Sequence, residues 1–201
     1  MSNDAYLGNP NLFKANTKIE YTEEQIQEIA KCMDDPIYFI KSYIKIVNID
    51  EGLVPFSMYG FQERMVDTFH NNRFSICKLP RQSGKSTTII AYLLHQVIFN
   101  DNINVAILAN KSSTARDLLG RLQLAYENLP KWLQQGVLNW NKGSLELALE
   151  VMFQLSVIFV SFYFIHRMIL YIPTYSQMNY PDVSFICVVL PTLLILFTMQ
   201  T

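Results

Sequence analysis

Residues 77–90, CKLPRQSGKSTTII, decide the fold that this sequence predicts. The residues before them, RFSICKL, predict a short buried strand that ends at Leu79. The apolar positions after them repeat at helical spacing and predict a helix over about 84–99. Between the two, residues 84–86, GKS, match the second half of the phosphate-binding pattern GxxxxGK(S/T), although Leu79 stands where its first glycine belongs. The stretch therefore predicts a nucleotide-phosphate loop with an incomplete motif in the expected strand–loop–helix setting.

The chemistry of such a loop assigns a task to each of its residues. Gly84 permits close approach of the backbone to a ligand. Lys85 would reach the β- and γ-phosphates, and the Ser86 hydroxyl would hold Mg²⁺. Arg81 could stabilise transition-state charge in cis, and a surface ion pair is the alternative for it. The backbone N–H groups that would surround the phosphates at the helix N-terminus belong to Gln82, Ser83, Gly84, Lys85, Ser86 and Thr87, with Thr87 near the α-phosphate.

Composition divides the chain into two parts. Of its 16 Lys and Arg residues and 17 Asp and Glu residues, only Arg167 and Asp182 lie after position 150. The net charge is −1, so no overall basic excess indicates nucleic-acid binding. The 3 cysteines are scattered, which argues against a disulfide framework. The 3 histidines are far apart in the sequence and are interpreted as ordinary core or surface residues.

The rest of the first 150 residues predicts helices and buried strands. Residues 1–19 are polar and rich in turn formers, and predict a flexible arm. Residues 20–58 predict a helical subdomain, with a capping box that begins at Thr22 and a second helix that begins at Pro36 and ends before Asn48. Residues 59–149 then alternate helices with buried strands, a pattern that predicts a parallel sheet covered on both faces.

These motifs together resemble a known family. The order of motifs over about residues 20–147, including the deviant loop and the stretch LPKWLQQGVLNWNKGS, is similar to the large terminase subunit of contractile-tailed bacteriophages. That family is an ATP-driven motor that packages viral DNA into procapsids, and its own loop carries Arg-Gln before Gly-Lys. The resemblance implies ATP and Mg²⁺ as cofactors. It also implies double-stranded viral DNA, the procapsid portal, the small terminase subunit and further copies of the chain as partners, in the host cytoplasm.

The resemblance adds an adenine site upstream of the loop. The family has an aromatic-Gln step there, which Phe61-Gln62 matches. A Gln amide both donates and accepts, so it suits the adenine edge, while Phe61 would pack beside the base. A polar residue that merely begins a helix is the alternative for Gln62. The aromatic residues of Lys131-Trp132-Leu133 and Trp140 are interpreted as packing rather than as a site.

The family pattern stops after Leu147. The family continues with a Walker B strand that ends in acids and with a nuclease domain, whereas the carboxylates here are only Glu150 and Asp182. We expect residues 150–201 to be an apolar tail outside the family fold, since 33 of the last 51 residues are apolar and none is Gly or Ala. We favour AT-rich DNA read out of frame, or an intron read through, as the tail's origin. A two-span membrane hairpin is the alternative.

The sequence thus predicts an α/β chain that contains an incomplete P-loop NTPase parallel sheet, a helical N-terminal subdomain and an apolar C-terminal tail. The predicted function is that of a truncated terminase ATPase segment, inactive alone because the catalytic acids are missing. Two other functions stay open. One is a membrane-anchored nucleotide-binding protein, and the other is a helicase-like ATPase fragment, since the Gln step and the loop recur there.

Overall fold

The structure, a computed structural model, describes residues 5–17, 19–48, 50–72, 74–100, 104–109, 111–148, 151–154, 183–189 and 193–198. These residues form a mixed α/β fold. The strands are β1 Ala5–Tyr6, β2 Asn9–Phe13, β3 Lys45–Asn48, β4 Gly52–Pro55, β5 Phe74–Pro80, β6 Asn104–Ala109, β7 Val137–Trp140, β8 Ser144–Leu147, β9 Val151–Gln154, β10 Val183–Val189 and β11 Leu193–Thr198. The helices are α1 Glu23–Asp34, α2 Pro36–Tyr43, α3 Gly60–Asn71, α4 Lys85–Phe99 and α5 Ser112–Glu127, with a 3₁₀ turn at Lys131–Leu133.

Local capping chemistry begins the first two helices where the sequence predicts. The Thr22 hydroxyl accepts from the backbone N–H of Gln25, and the Gln25 side chain accepts from the N–H of Thr22, which completes the capping box. The Asp35 carboxylate accepts from two N–H groups of α2, and Pro36 takes the first helical position. Both helix starts are confirmed.

The second helix is shorter than predicted. It ends at Tyr43, and residues 45–47, predicted as its last turn, belong to β3 instead. β3 pairs antiparallel with β4, and Val47 faces Leu53 across the hairpin. The β-branched residues of β3 favour an extended backbone, and strand pairing overrides their helical spacing. The predicted helical subdomain 20–58 is therefore two helices followed by a hairpin.

The main sheet is mixed rather than parallel. Its seven strands follow the order β5-β10-β11-β6-β9-β8-β7. β6 is parallel to both of its neighbours, and the other pairs are antiparallel. β5 and β6 run in the same direction, as a strand–helix–strand unit predicts, but β10 and β11 lie between them. Because β10 and β11 follow each other closely along the chain, they pair antiparallel, and the sheet cannot be parallel throughout.

The tail was expected to lie outside the family fold, and this stays a prediction. Its described strands, β9, β10 and β11, pair with strands of the main sheet. None of the helices in the described ranges combines the length and the apolarity that a membrane span requires. The residues 155–182, on which most of the first predicted membrane span falls, lie outside the described residues.

Helix α4 lies at the centre of the core. Every residue from Thr88 to Ile98 is buried, and the helix contacts α2, α3 and α5. The outer helices α3 and α5 in turn contact β5 and β6. A helix that is apolar all round must be buried on every side. The core therefore fixes the position at which α4 begins, and with it the loop that precedes Lys85.

The residues predicted as a flexible arm contain the hairpin of β1 and β2. Leu12 is buried, and the Lys131 ammonium donates to the carbonyl of Pro10 at 2.7 Å and lies over the Phe13 ring. The backbones also touch, since a Cβ placed on Gly136 would lie 2.7 Å from the Cα of Ala15. This N-terminal hairpin thus packs against the segment that leads into β7.

The aromatic residues around position 132 pack as predicted. The Trp132 ring meets the Tyr43 ring edge to face at 5.5 Å between centroids. The ring centroids of Trp140 and Tyr126 lie 5.8 Å apart. Both contacts tie the 3₁₀ turn and β7 to the helices.

His95 is a buried polar residue within α4. Its Nε2 lies 2.8 Å from the carbonyl oxygen of Cys32, and its Nδ1 lies 3.3 Å from the Gln96 amide nitrogen. A neutral imidazole that donates from Nε2 and accepts at Nδ1 satisfies both contacts. His70, distant in the sequence, lies close, with ring centroids 6.4 Å apart. Burial is the main cause that lowers the pKa of His95 to about 4, from an ordinary 6.5.

We predict that His95 makes the fold sensitive to mild acid. Between pH 6.5 and about 4, His95 is protonated in the unfolded chain but neutral in the folded chain. The free energy of unfolding therefore falls as the pH decreases through this window. The full effect is about 3 kcal/mol, because a tenfold change in proton affinity corresponds to about 1.4 kcal/mol. Urea unfolding at pH 7 and pH 4.5 measures it. His95→Gln should lose less stability than wild type between these values. Equal losses in wild type and His95→Gln would contradict the assignment.

Candidate functional site

A tight turn joins β5 to α4. Only four residues separate Pro80 from Lys85, and two of them have a left-handed backbone, Gln82 with φ 59° and Gly84 with φ 71°. The left-handed region costs a residue with a Cβ roughly 1–2 kcal/mol. Such strain persists only where surrounding contacts hold it, and it concentrates at functional sites.

The carbonyl of Pro80 holds the turn together. It accepts from the Ser83 hydroxyl at 3.0 Å and from the Lys85 ammonium at 3.1 Å. Lys85 is only 5% exposed. Among the described residues, no carboxylate forms an ion pair with it. Burial first, and the positive charge of Arg81 second, lower the pKa of Lys85. The turn therefore contains a buried cation whose only hydrogen-bond partner in the described part of the chain is a neutral carbonyl.

The first turn of α4 adds to the positive potential. Gly84 is its N-cap and supplies no side-chain hydrogen bond. The first backbone bond of the helix runs from the N–H of Thr88 to the carbonyl of Gly84. The N–H groups before Thr88 have no intrahelical acceptor, and the helix dipole favours negative charge at this end. An anion placed here would meet N–H donors, the helix dipole and the Lys85 ammonium together.

Gln62 joins this turn to helix α3. Its Oε1 accepts from the N–H of Tyr59 at 2.9 Å, and its Nε2 donates to the carbonyl of Ser83 at 3.3 Å. The residue is 2% exposed. A Cβ on Gly84 would lie 2.6 Å from the Gln62 Nε2. Two observations therefore favour glycine at position 84: its left-handed backbone angle and the space that the Gln62 side chain fills.

A cleft of about 810 Å³ opens beside the turn, within the range of small-molecule sites. The β3–β4 hairpin, the start of α3 and the turn supply its walls. At its edge the rings of Tyr59 and Phe61 are stacked, with centroids 5.9 Å apart and planes 9° from parallel. The lining residues are Ile46, Asn48, Glu51, Val54, Pro55, Phe56, Ser57, Tyr59, Phe61, Gln62, Leu79, Pro80, Gln82, Ser83, Gly84 and Thr87.

The structure brings the predicted site residues together to different degrees. Those that line the cleft are Phe61, Gln62, Gln82, Ser83, Gly84 and Thr87. Arg81, Lys85 and Ser86 belong to the same turn and to the first turn of α4 but do not line it. Gln62 does cap a helix, as its alternative interpretation holds, yet it also reaches the loop.

Sequence reasoning missed the outer wall. Ile46 and Val54 pair across the hairpin and line the cleft, and Tyr59 extends the aromatic surface of Phe61. The signal was present in the turn residues Asp50-Glu51-Gly52 between two short apolar runs, which is typical of a hairpin. Tyr59 carried no signal of its own beyond its position before Phe61.

The arrangement suits a ligand with an anionic group at one end and a flat apolar group at the other. The buried ammonium and the helix N-terminus suit the anion, and the stacked rings suit the flat group. No protein-family model matches the chain. The case for a function therefore depends on these contacts and on the quoted motifs.

We predict that Gly84→Ala destabilises the chain by about 1–2 kcal/mol, the cost of a left-handed backbone at alanine. The contact with the Gln62 amide adds to this cost. The matched control is Gly120→Ala in α5. A Cβ added there meets nothing within 4 Å, and the substitution removes a glycine from the interior of a helix. That variant should be up to about 1 kcal/mol more stable. Thermal unfolding compares the two, and a neutral Gly84→Ala would show that the turn is free to rearrange.

Proposed function

We propose that the chain binds ATP with Mg²⁺ in the cleft between the β3–β4 hairpin and the turn before α4. One observation carries the proposal. The Lys85 ammonium is buried beside a helix N-terminus and bonded only to a neutral carbonyl among the described residues. A buried charge is costly unless it is paired, and a phosphate group would pair it.

The cleft offers matching partners for the remaining parts of ATP. The adenine would pack on the stacked rings of Tyr59 and Phe61. Gln62 uses one N–H and one lone pair within the protein. A carboxamide has two of each, so one donor and one acceptor remain for the adenine edge. The N–H groups from Gln82 to Thr87 would then meet the phosphates.

The residues of the turn fit the metal and the charge that ATP brings. Ser86, in the first turn of α4, would supply a hydroxyl ligand to Mg²⁺ bound with the phosphates. Mg²⁺ when bound would neutralise phosphate charge. Arg81 raises the positive potential around Lys85, which is consistent with a cis arginine acting on the same phosphates.

The wider proposal is that this chain is the N-terminal ATPase segment of a phage large terminase, built on a P-loop sheet and working in the host cytoplasm. The support is the order of motifs, the Arg-Gln-Ser-Gly-Lys-Ser loop between β5 and α4, and the Gln62 step that contacts it. β5 and β6 run in the same direction and α4 joins them along the chain, although β10 and β11 lie between them in the sheet. Viral DNA, the portal, the small subunit and further copies would be its partners.

We predict that Lys85→Ala raises the Kd for Mg-ATP at least about tenfold, because a charged hydrogen bond contributes about 1.5–3 kcal/mol. Equilibrium dialysis of radiolabelled ATP against the full chain measures the Kd. The control is Lys142→Ala, an exposed lysine between β7 and β8, which should bind as wild type. Equal affinity in wild type and Lys85→Ala would overturn the site.

Binding should occur without turnover. The residues of the turn supply phosphate contacts and positive charge but no carboxylate to orient water, and after Leu147 the sequence contains only Glu150 and Asp182. Phosphate release by the purified chain should equal that of Lys85→Ala. Release by wild type that Lys85→Ala abolishes would show that another acid completes the site.

A further inference from the structure

Described residues next to the turn of the β3–β4 hairpin have a defined local geometry. Asn48 and Gly52 form the last pair of the hairpin, and Gly52 has φ 75°. The Asn48 side-chain oxygen accepts from the backbone N–H of Asp50 at 3.0 Å. Asx turns of this kind fix the backbone locally. The side chain of Glu51 therefore starts from a defined position next to the cleft.

Glu51 is the only charged residue among the described residues that line the cleft. It is exposed, and it forms no hydrogen bond or ion pair with another described residue. Its neighbour Asp50 is also exposed but does not line the cleft. The hairpin thus places the Glu51 carboxylate, and not that of Asp50, on the wall of the cleft, where a bound ligand would meet it.

An ionised carboxylate only accepts hydrogen bonds and repels phosphate. In a nucleotide the available donors are the ribose hydroxyls and any exocyclic amine of the base. In the proposed complex the stacked rings and the Gln62 amide would contact the base, and Lys85 with the α4 N-terminus would contact the phosphates. The ribose, which joins the two, is the part that remains for the hairpin.

We propose that Glu51 accepts hydrogen bonds from the ribose 2′- and 3′-hydroxyls and makes the site selective for ribonucleotides over deoxyribonucleotides. This rests on the proposed ATP site and adds a specificity residue to it. A hydroxyl bonded to a carboxylate forms a charge-assisted bond, which is about twice as strong as a neutral one. A ligand that lacks the hydroxyl leaves the Glu51 carboxylate without this hydrogen bond.

The experiment compares ATP, 2′-deoxy-ATP and 2′,3′-dideoxy-ATP by equilibrium dialysis with Mg²⁺ on the full chain. Wild type should bind ATP about tenfold more tightly than 2′-deoxy-ATP, and dideoxy-ATP more weakly still. Glu51→Ala should bring the three affinities together. Asp50→Ala, the matched control, should keep the wild-type ratios. The ratio is the readout because removal of a negative charge also strengthens triphosphate binding in general.

The outcomes separate this proposal from the one on which it rests. Equal affinities for the three ligands in wild type, with binding that still requires Lys85, would overturn the role of Glu51 alone. A ratio unchanged in Glu51→Ala would do the same. Failure of wild type to bind any of the three would overturn both proposals.

Discussion

The amide of Gln62 connects the two chain segments from which the cleft is built. It bonds to the N–H of Tyr59 at the start of α3 and to the carbonyl of Ser83 in the turn before α4. Because the amide is buried, loss of either partner would leave a polar atom without a bond in an apolar setting. The aromatic surface and the turn before α4 therefore keep a fixed relation to each other. Gly84 favours this contact, since a Cβ at position 84 would lie 2.6 Å from the amide nitrogen and would displace it.

Sequence reasoning succeeded where the signal was local. The capping box at Thr22, the proline at position 36 and the glycine at position 84 each determine the backbone within a few residues. Helix α4 was equally clear, because its apolar residues continue around the whole helix and only burial explains them. Most of the residues predicted to contact phosphate and base lie close together, since they belong to one turn and one helix start, and their role stays a prediction.

Sequence reasoning failed where the structure depends on contacts between residues that are far apart along the chain. Residues 45–48 have helical apolar spacing, and only their pairing with β4 makes them a strand. The order of the main sheet depends on β10 and β11, whose positions no local pattern indicates. Glu51 was passed over for the same reason, because a carboxylate in a turn is usually only solvated. Its position on the wall of the cleft appears only once the β3–β4 hairpin has formed.

The attachment of the N-terminal hairpin to Lys131 has a consequence for local unfolding. The hairpin contains few buried side chains, yet the backbone just after it meets the segment before β7 so closely that a Cβ at Gly136 would lie 2.7 Å from the Cα of Ala15. Opening β7 would free the hairpin, and freeing the hairpin would expose Leu12 and the edge of β7. Amide hydrogens in the two segments should therefore exchange with solvent deuterium at matched rates, as one cooperative unit, although more than a hundred residues separate them along the chain.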